Sequence, residues 1–402
     1  MLRLSDKFDR EKFLREYWQQ KPVLLSGLFD SFADPISPEE LAGLACEAEI
    51  ESRLIEGAVT RDSTSGRIQA ELSLRHGPIP EDYFPTLPDK NWTVLVQAVD
   101  QWLGEVADLR LCFDFLPNWR LEDVMISFAA PGGTVGPHFD HYDVFLIQGS
   151  GSRCWQIGER CDANTEVMEQ AGLSLLPHFE CVESFELRAG DALYVPPRFA
   201  HWGSATEAGL CYSVGLRSPS LGEMLEGYSD ALIKCSDPAD RYTDPAPAQE
   251  SSPSSFHPAE IKSAMLDEAY NKVMATLGQR SAFNRWFGCQ VTQPRYPEHI
   301  LAPESDYDFP AINSALQAGA ALLRHPGSRF AMMHDQDELL LFVDGACITL
   351  PMLCVNAVES LCDLQLSDCS MILSGQDSPE VRNLILQLVN QGSLVIELPT
   401  RD

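Results

Sequence analysis

The chain is 402 residues long, more than one ordinary hydrophobic core accommodates, so two or three domains are expected. Apolar residues make up 45% of it, which excludes global disorder, and a formal net charge of −30 disfavours nucleic-acid phosphates and anionic membranes as partners. The first residues hold no long apolar run and no small-residue cleavage site, so no export signal is expected; no stretch approaches a membrane-spanning apolar run, and the twelve cysteines contain no CxxC pair, so a cytoplasmic protein with scattered reduced thiols is expected.

Phe8, Phe13, Leu14, Tyr17 and Trp18 recur at helical intervals until Lys21-Pro22 ends the pattern, which predicts a first helix. Val23-Leu24-Leu25 predicts a short buried strand closed by Gly27. A second helix is expected from Ser37-Pro38-Glu39-Glu40, where the serine can cap and the proline fits the first turn. From about Ser52 to Arg217 the texture becomes short strands between glycine- and proline-bearing turns, clearest at 124–129, 143–148, 153–157, 192–195 and 210–214. Gly149-Ser150-Gly151 predicts a hairpin between the second and third of these. Short strands without long helices between them argue for a sandwich or barrel, not a parallel α/β sheet.

Beyond Arg217 a helix is expected at 221–233, a Pro/Ser/Asp-rich loop at 236–258, and amphipathic helices at 261–277 and 282–287. A further loop with Pro294, Pro297, Pro303 and Pro310 leads into a C-terminal unit. That unit is read as a helix (312–323), two strands (329–333 and 339–343), more helices and a last strand (394–398), a winged-helix-like layout. The expected domains are therefore 1–217, 218–300 and 301–402. A winged helix often binds DNA, but from Leu301 onward four Lys/Arg stand against fourteen Asp/Glu, a net charge of −10. Such a unit is expected to dock protein rather than nucleic acid.

The segment with chemical content is Pro131-Gly132-Gly133-Thr134-Val135-Gly136-Pro137-His138-Phe139-Asp140. Along a strand, residues two apart share a face and stand about 6.6 Å from each other, so His138 and Asp140 can converge on one ion. His201 is the best third ligand, because it follows Gly190-Asp191, a strand and the stiff turn Pro196-Pro197. Two histidines and one carboxylate with open coordination positions form the ligand set of non-haem Fe(II) oxygenases. An isolated HxD occurs often by chance; the Gly-rich turn before it and the downstream element make this one specific. His141 falls on the opposite face of a regular strand, although a bulge would change that. His76, His178, His257, His299, His325 and His334 share no ligand spacing and are read as structural.

His138-Phe139-Asp140, Tyr142-Asp143-Val144-Phe145 and the run from Gly190-Asp191 to His201 resemble the JmjC family of 2-oxoglutarate oxygenases. Trp18-Gln19-Gln20-Lys21-Pro22-Val23, Met125-Ile126-Ser127-Phe128, Gly136-Pro137-His138 and Tyr212-Ser213-Val214-Gly215 are similar, more closely, to the bacterial ribosomal oxygenases. The resemblance spans most of 1–217 and rests on layout beyond it. It implies an α+β chain: a cupin-like double-stranded β-helix with N-terminal helices, a helical segment pairing two subunits, and a winged-helix-like C-terminal domain. It also implies Fe(II) as cofactor, 2-oxoglutarate and O2 as cosubstrates, and hydroxylation of an arginyl side chain in large-subunit ribosomal protein sixteen.

By the same resemblance Arg153 is the cation for the distal carboxylate of 2-oxoglutarate, and Ser127 its hydroxyl partner. Without it, Arg153 reads as an edge-strand charge and Ser127 as filler in a buried strand. An arginyl substrate needs carboxylates or π faces, for which Tyr142 and Asp143 are the candidates, and a basic ribosomal protein suits the acidic surface. Two other readings stand beside this one. A JmjC-type N-methyl-lysine demethylase would use the same metal but release formaldehyde. A non-catalytic acidic scaffold would bind a basic partner and would not need three convergent ligands.

Overall fold

The computed structural model describes residues 2–62, 64–245, 257–363, 369–372 and 378–398. Its first helix, α1 (Arg10–Glu16), starts where the Asp9 carboxylate accepts from the Lys12 amide at 2.9 Å. The buried ring of Phe13 on α1 packs edge-on against Tyr194, with centroids 5.0 Å apart. After β1 (Val23–Leu25), α2 (Pro38–Cys46) opens at Ser37 as expected, and the cap is a full capping box: the Ser37 hydroxyl accepts from the Glu40 amide, and the Glu40 carboxylate accepts from the Ser37 amide. The chain continues through β2 (Ser52–Arg61), β3 (Ile68–His76), β4 (Trp92–Val96), α3 (Gly104–Leu111) and β5 (Leu121–Ala129). Then follow β6 (Val144–Gln148), β7 (Ser152–Arg160), β8 (Met168–Gln170), β9 (Leu173–Leu175), β10 (Glu183–Arg188), β11 (Ala192–Val195), β12 (Phe199–Glu207) and β13 (Gly209–Leu216).

The larger sheet is antiparallel throughout, in the order β1-β11-β6-β13-β5-β4-β2-β3, and a smaller sheet has the order β10-β7-β12. One core lies behind the large sheet against α1–α3; a second lies between the sheets, where Val144 and Leu146 of β6 meet Trp155 and Ile157 of β7. This is the double-stranded β-helix expected, with one correction to its wiring. β6 pairs with β11 and β13, whereas β7 pairs with β10 and β12, so Gly149-Ser150-Gly151 is a corner between sheets and not a hairpin. Its glycines are there for space: a Cβ on Gly151, which has φ +70°, would lie 2.2 Å from the Ala208 carbonyl oxygen. A three-residue spacing serves either connection.

Past β13 come α4 (Leu221–Cys235), α5 (Ser263–Leu277) and α6 (Arg280–Val291), with 246–256 of the expected loop outside the described residues. The C-terminal unit contains α7 (Phe309–Gln317), β14 (Ala321–Arg324), β15 (Phe330–Asp335), β16 (Glu338–Val343), β17 (Ala346–Pro351), α8 (Val355–Cys362), α9 (Pro379–Asn390) and β18 (Leu394–Glu397). The helix expected over 312–323 ends at Gln317, because Gly319 turns the chain at φ +92° and β14 then pairs with β18. β17, not foreseen, makes the wing three-stranded. This unit is tied to the start of β5: buried Arg329 donates to the carbonyls of Leu121 (2.6 Å), Glu122 (3.1 Å) and Trp119 (3.3 Å). No helix among the described residues is long and apolar enough to cross a membrane.

Candidate active site

Residues 131–140 do not form a regular strand. They run extended beside β12 and touch it through single bridges, Thr134 to Ser204 and His138 to His201. The run is pinned by Thr134, whose hydroxyl donates to the Gly203 carbonyl at 2.6 Å and accepts from the Trp202 indole at 3.0 Å. It must also pass close to its neighbours, since a Cβ on Gly133 would lie 2.2 Å from the Trp92 carbonyl oxygen. The bridge therefore, and not strand parity alone, brings His138 and Asp140 against His201.

One ligand atom each from His138, Asp140 and His201 lies within 4.8 Å of the others, the one such cluster of three or more His, Cys, Asp or Glu among the described residues. His201 Nε2 stands 3.5 Å from an Asp140 carboxylate oxygen, and the two imidazole centroids are 4.3 Å apart. Each Nδ1 faces a backbone carbonyl two residues earlier, His138 that of Gly136 and His201 that of Phe199, both at 2.9 Å. A carbonyl can only accept, so each ring carries its proton on Nδ1 and turns a bare Nε2 lone pair inward. Burial first, and the adjacent His138 second, push the His201 pKa down to about 4, which keeps this imidazole neutral and ready to ligate. Such a donor set, buried on the His201 side and half-open at His138 and Asp140, fits a divalent metal ion.

The cluster forms part of the lining of a cavity of about 380 Å³ between the two sheets. Ser127 of β5 and Arg153 of β7 line the same cavity and are both buried. Arg153 Nη1 donates to Ser127 Oγ at 3.4 Å, but its Nε and Nη2 have no hydrogen-bond partner among the described residues, and neither does the Trp155 indole N–H beside it. Each buried donor left unpaired costs about 1–3 kcal/mol, so the cavity is built to receive an acceptor. A planar carboxylate matches a guanidinium edge with two free N–H groups.

Tyr142 also lines the cavity, half-exposed at its mouth with its hydroxyl against Asp140. Asp143 does not, which corrects the substrate role expected for it. Its carboxylate is fully buried behind β6, paired with Arg120 at 2.6 Å, and accepts from the Tyr194 hydroxyl at 2.5 Å and the Gln19 amide at 3.2 Å. His141 is exposed, its ring against Phe139 and outside the cluster. Arg53 of β2, Thr93 of β4, Trp155 of β7, Ser213 of β13 and the β8–β9 hairpin complete the walls. Sequence reasoning missed these; which strand faces which depends on sheet order, and no local motif encodes that.

Residues 108–224 match the JmjC domain model, and residues 273–395 match a ROXA-like winged helix. The chain is 39% identical over 323 residues to a ribosomal protein uL16 3-hydroxylase of Escherichia coli, covering 80% of this chain and 82% of that one. It is 29% identical over 370 residues to a probable ribosomal oxygenase of Haemophilus influenzae, covering 91% and 87%. The structure superposes on that of YcfD, a ribosomal oxygenase from Escherichia coli in complex with cobalt and 2-oxoglutarate, with a TM-score of 0.80. Sequence identity is 32%, and the match spans 99% of this chain and 100% of the other.

Proposed function

The chain belongs to the ribosomal oxygenase family of JmjC proteins, and from that premise we propose that it hydroxylates an arginyl side chain of the large-subunit ribosomal protein uL16. It is an Fe(II)- and 2-oxoglutarate-dependent protein hydroxylase in this reading, and one observation carries it. The convergent His138, Asp140 and His201 share one buried cavity with the unpaired donors of Arg153. When bound, Fe(II), 2-oxoglutarate and O2 supply an oxidant able to hydroxylate an unactivated C–H bond, with succinate and CO2 as co-products.

The protein's own groups do the rest. His138, Asp140 and His201 would hold the metal from one side and leave the other side free. Arg153 would grip the distal carboxylate of 2-oxoglutarate through two N–H groups, with Ser127 beside it. The apolar walls, Val144, Leu146 and Trp155, exclude water from the reacting centre. Tyr142, at the mouth, offers a ring face to the incoming guanidinium.

Within the same proposal, residues 1–217 carry catalysis and 218–300 pair two subunits through helix faces that expose Leu225, Ile233, Leu266 and Val273. Residues 301–402 contact protein rather than nucleic acid, and the protein works in the cytoplasm, where its substrate is made. The test is incubation with Fe(II), ascorbate, 2-oxoglutarate and ribosomal proteins, followed by intact mass. The expected result is a gain of one oxygen atom on uL16, matched by succinate and without formaldehyde. Formaldehyde release would favour a demethylase, and no gain on any ribosomal protein would defeat the substrate assignment.

A further inference from the structure

The C-terminal half holds a second cluster of chemistry-bearing side chains, none of which lines the oxygenase cavity. There α6 crosses the β16–β17 hairpin so closely that a Cβ on Gly288 would stand 2.3 Å from the Phe342 ring. At the next position along the helix, Cys289 faces Cys347 of β17, each thiol within the other's electrostatic reach. One turn earlier on the same helix face, Arg285 donates through Nη1 to the Cys347 sulfur at 3.7 Å and to Thr349 Oγ1 at 2.9 Å. Its Nη2 is held by the Glu338 carboxylate at 3.2 Å, so the guanidinium is fixed over the sulfur. Both cysteines are half-buried, open to a small solute, on a helix and a strand that pack against each other.

We propose that Cys289 and Cys347 are a peroxide-sensitive dithiol that closes to a disulfide joining α6 to β17. The two sulfurs have different parts. Arg285, which donates to the Cys347 sulfur, favours the Cys347 thiolate, and Cys289, one turn along α6 from Arg285, is the resolving thiol. The Cys347 thiolate attacks one oxygen of hydrogen peroxide, the O–O bond breaks, and hydroxide leaves, taking up the proton Cys347 released to become water. Cys289 then attacks the resulting sulfenic sulfur; the S–S bond forms, the S–O bond breaks, and the hydroxyl leaves with the Cys289 proton as a second water. Two thiols are oxidised and one peroxide is reduced to two waters. A low-molecular-weight dithiol reverses the closure.

The test is graded hydrogen peroxide on the native full-length protein, then alkylation and peptide mapping. The expected result is a Cys289–Cys347 cross-linked peptide at doses that leave the exposed Cys235 alkylatable. In C289S, dimedone should trap a sulfenic acid on Cys347, and in C347S, Cys289 should stay alkylatable. R285Q should slow cross-linking on the order of tenfold. The proposal is overturned if Cys235 is oxidised while Cys289 and Cys347 still alkylate. It is equally overturned if dimedone labels Cys289 in C347S, or if R285Q cross-links at the wild-type rate.

Discussion

The His201 imidazole is neutral in the fold because water is excluded from it and His138 sits beside it. Its pKa of about 4 lies below the ordinary 6.5, so between those values the unfolded chain binds more protons than the folded one. Stability of the metal-free protein should therefore fall as pH drops from 6.5 towards 4, by up to about 3 kcal/mol. Urea unfolding at pH 7 and pH 5 measures this; H201Q should flatten the difference, and an equal slope in the variant would remove His201 as its source. Arg153 gives a second prediction of a different kind. Its unpaired donors await a carboxylate, so R153A should raise the KM for 2-oxoglutarate on the order of a hundredfold, and S127A only about fivefold. Without cosubstrate, R153A should melt no lower than wild type, since it removes an unsatisfied charge from the interior. A lower melting temperature would mean the guanidinium serves the fold first.

Strands and helix starts were legible along the sequence because each is a local property. The Ser37-Pro38-Glu39-Glu40 cap sits where its chemistry places it, and 192–195 is a strand because four apolar residues follow a tight turn at Gly190. Partners were not legible. Gly149 to Gly151 reads identically as a hairpin or as a corner, and only the pairing of β6 with β11 and β13 decides it. The HxD motif pointed to the metal cluster, although a single bridge to β12 and not a regular strand positions it. Asp143 looked available because sequence cannot show Arg120, Tyr194 and Gln19 closing over it. The corner itself is testable. G151A forces a Cβ toward the Ala208 carbonyl at a left-handed φ, so it should destabilise the fold by about 2 kcal/mol in urea titration. A neutral effect would mean the corner can relax.

Across the whole molecule, a charge of −30 surrounds a small cavity whose recognition groups include arginines 53 and 153. In the proposed function the surface attracts a basic protein while the interior receives an anionic cosubstrate, and salt separates the two. Raising ionic strength from about 0.05 M to about 0.3 M should increase the KM for the ribosomal protein several-fold. The KM for 2-oxoglutarate should move far less, because buried pairs are weakly screened. Equal shifts would place cosubstrate recognition at the surface.

The most direct measurement is the stoichiometry of divalent metal binding by calorimetry, under argon, for wild type and the variants H138A, D140A, H201A and H141A. One ion per chain is expected for wild type and H141A, with binding lost in the other three. An H201A protein that still takes up its ion at wild-type affinity would contradict the site.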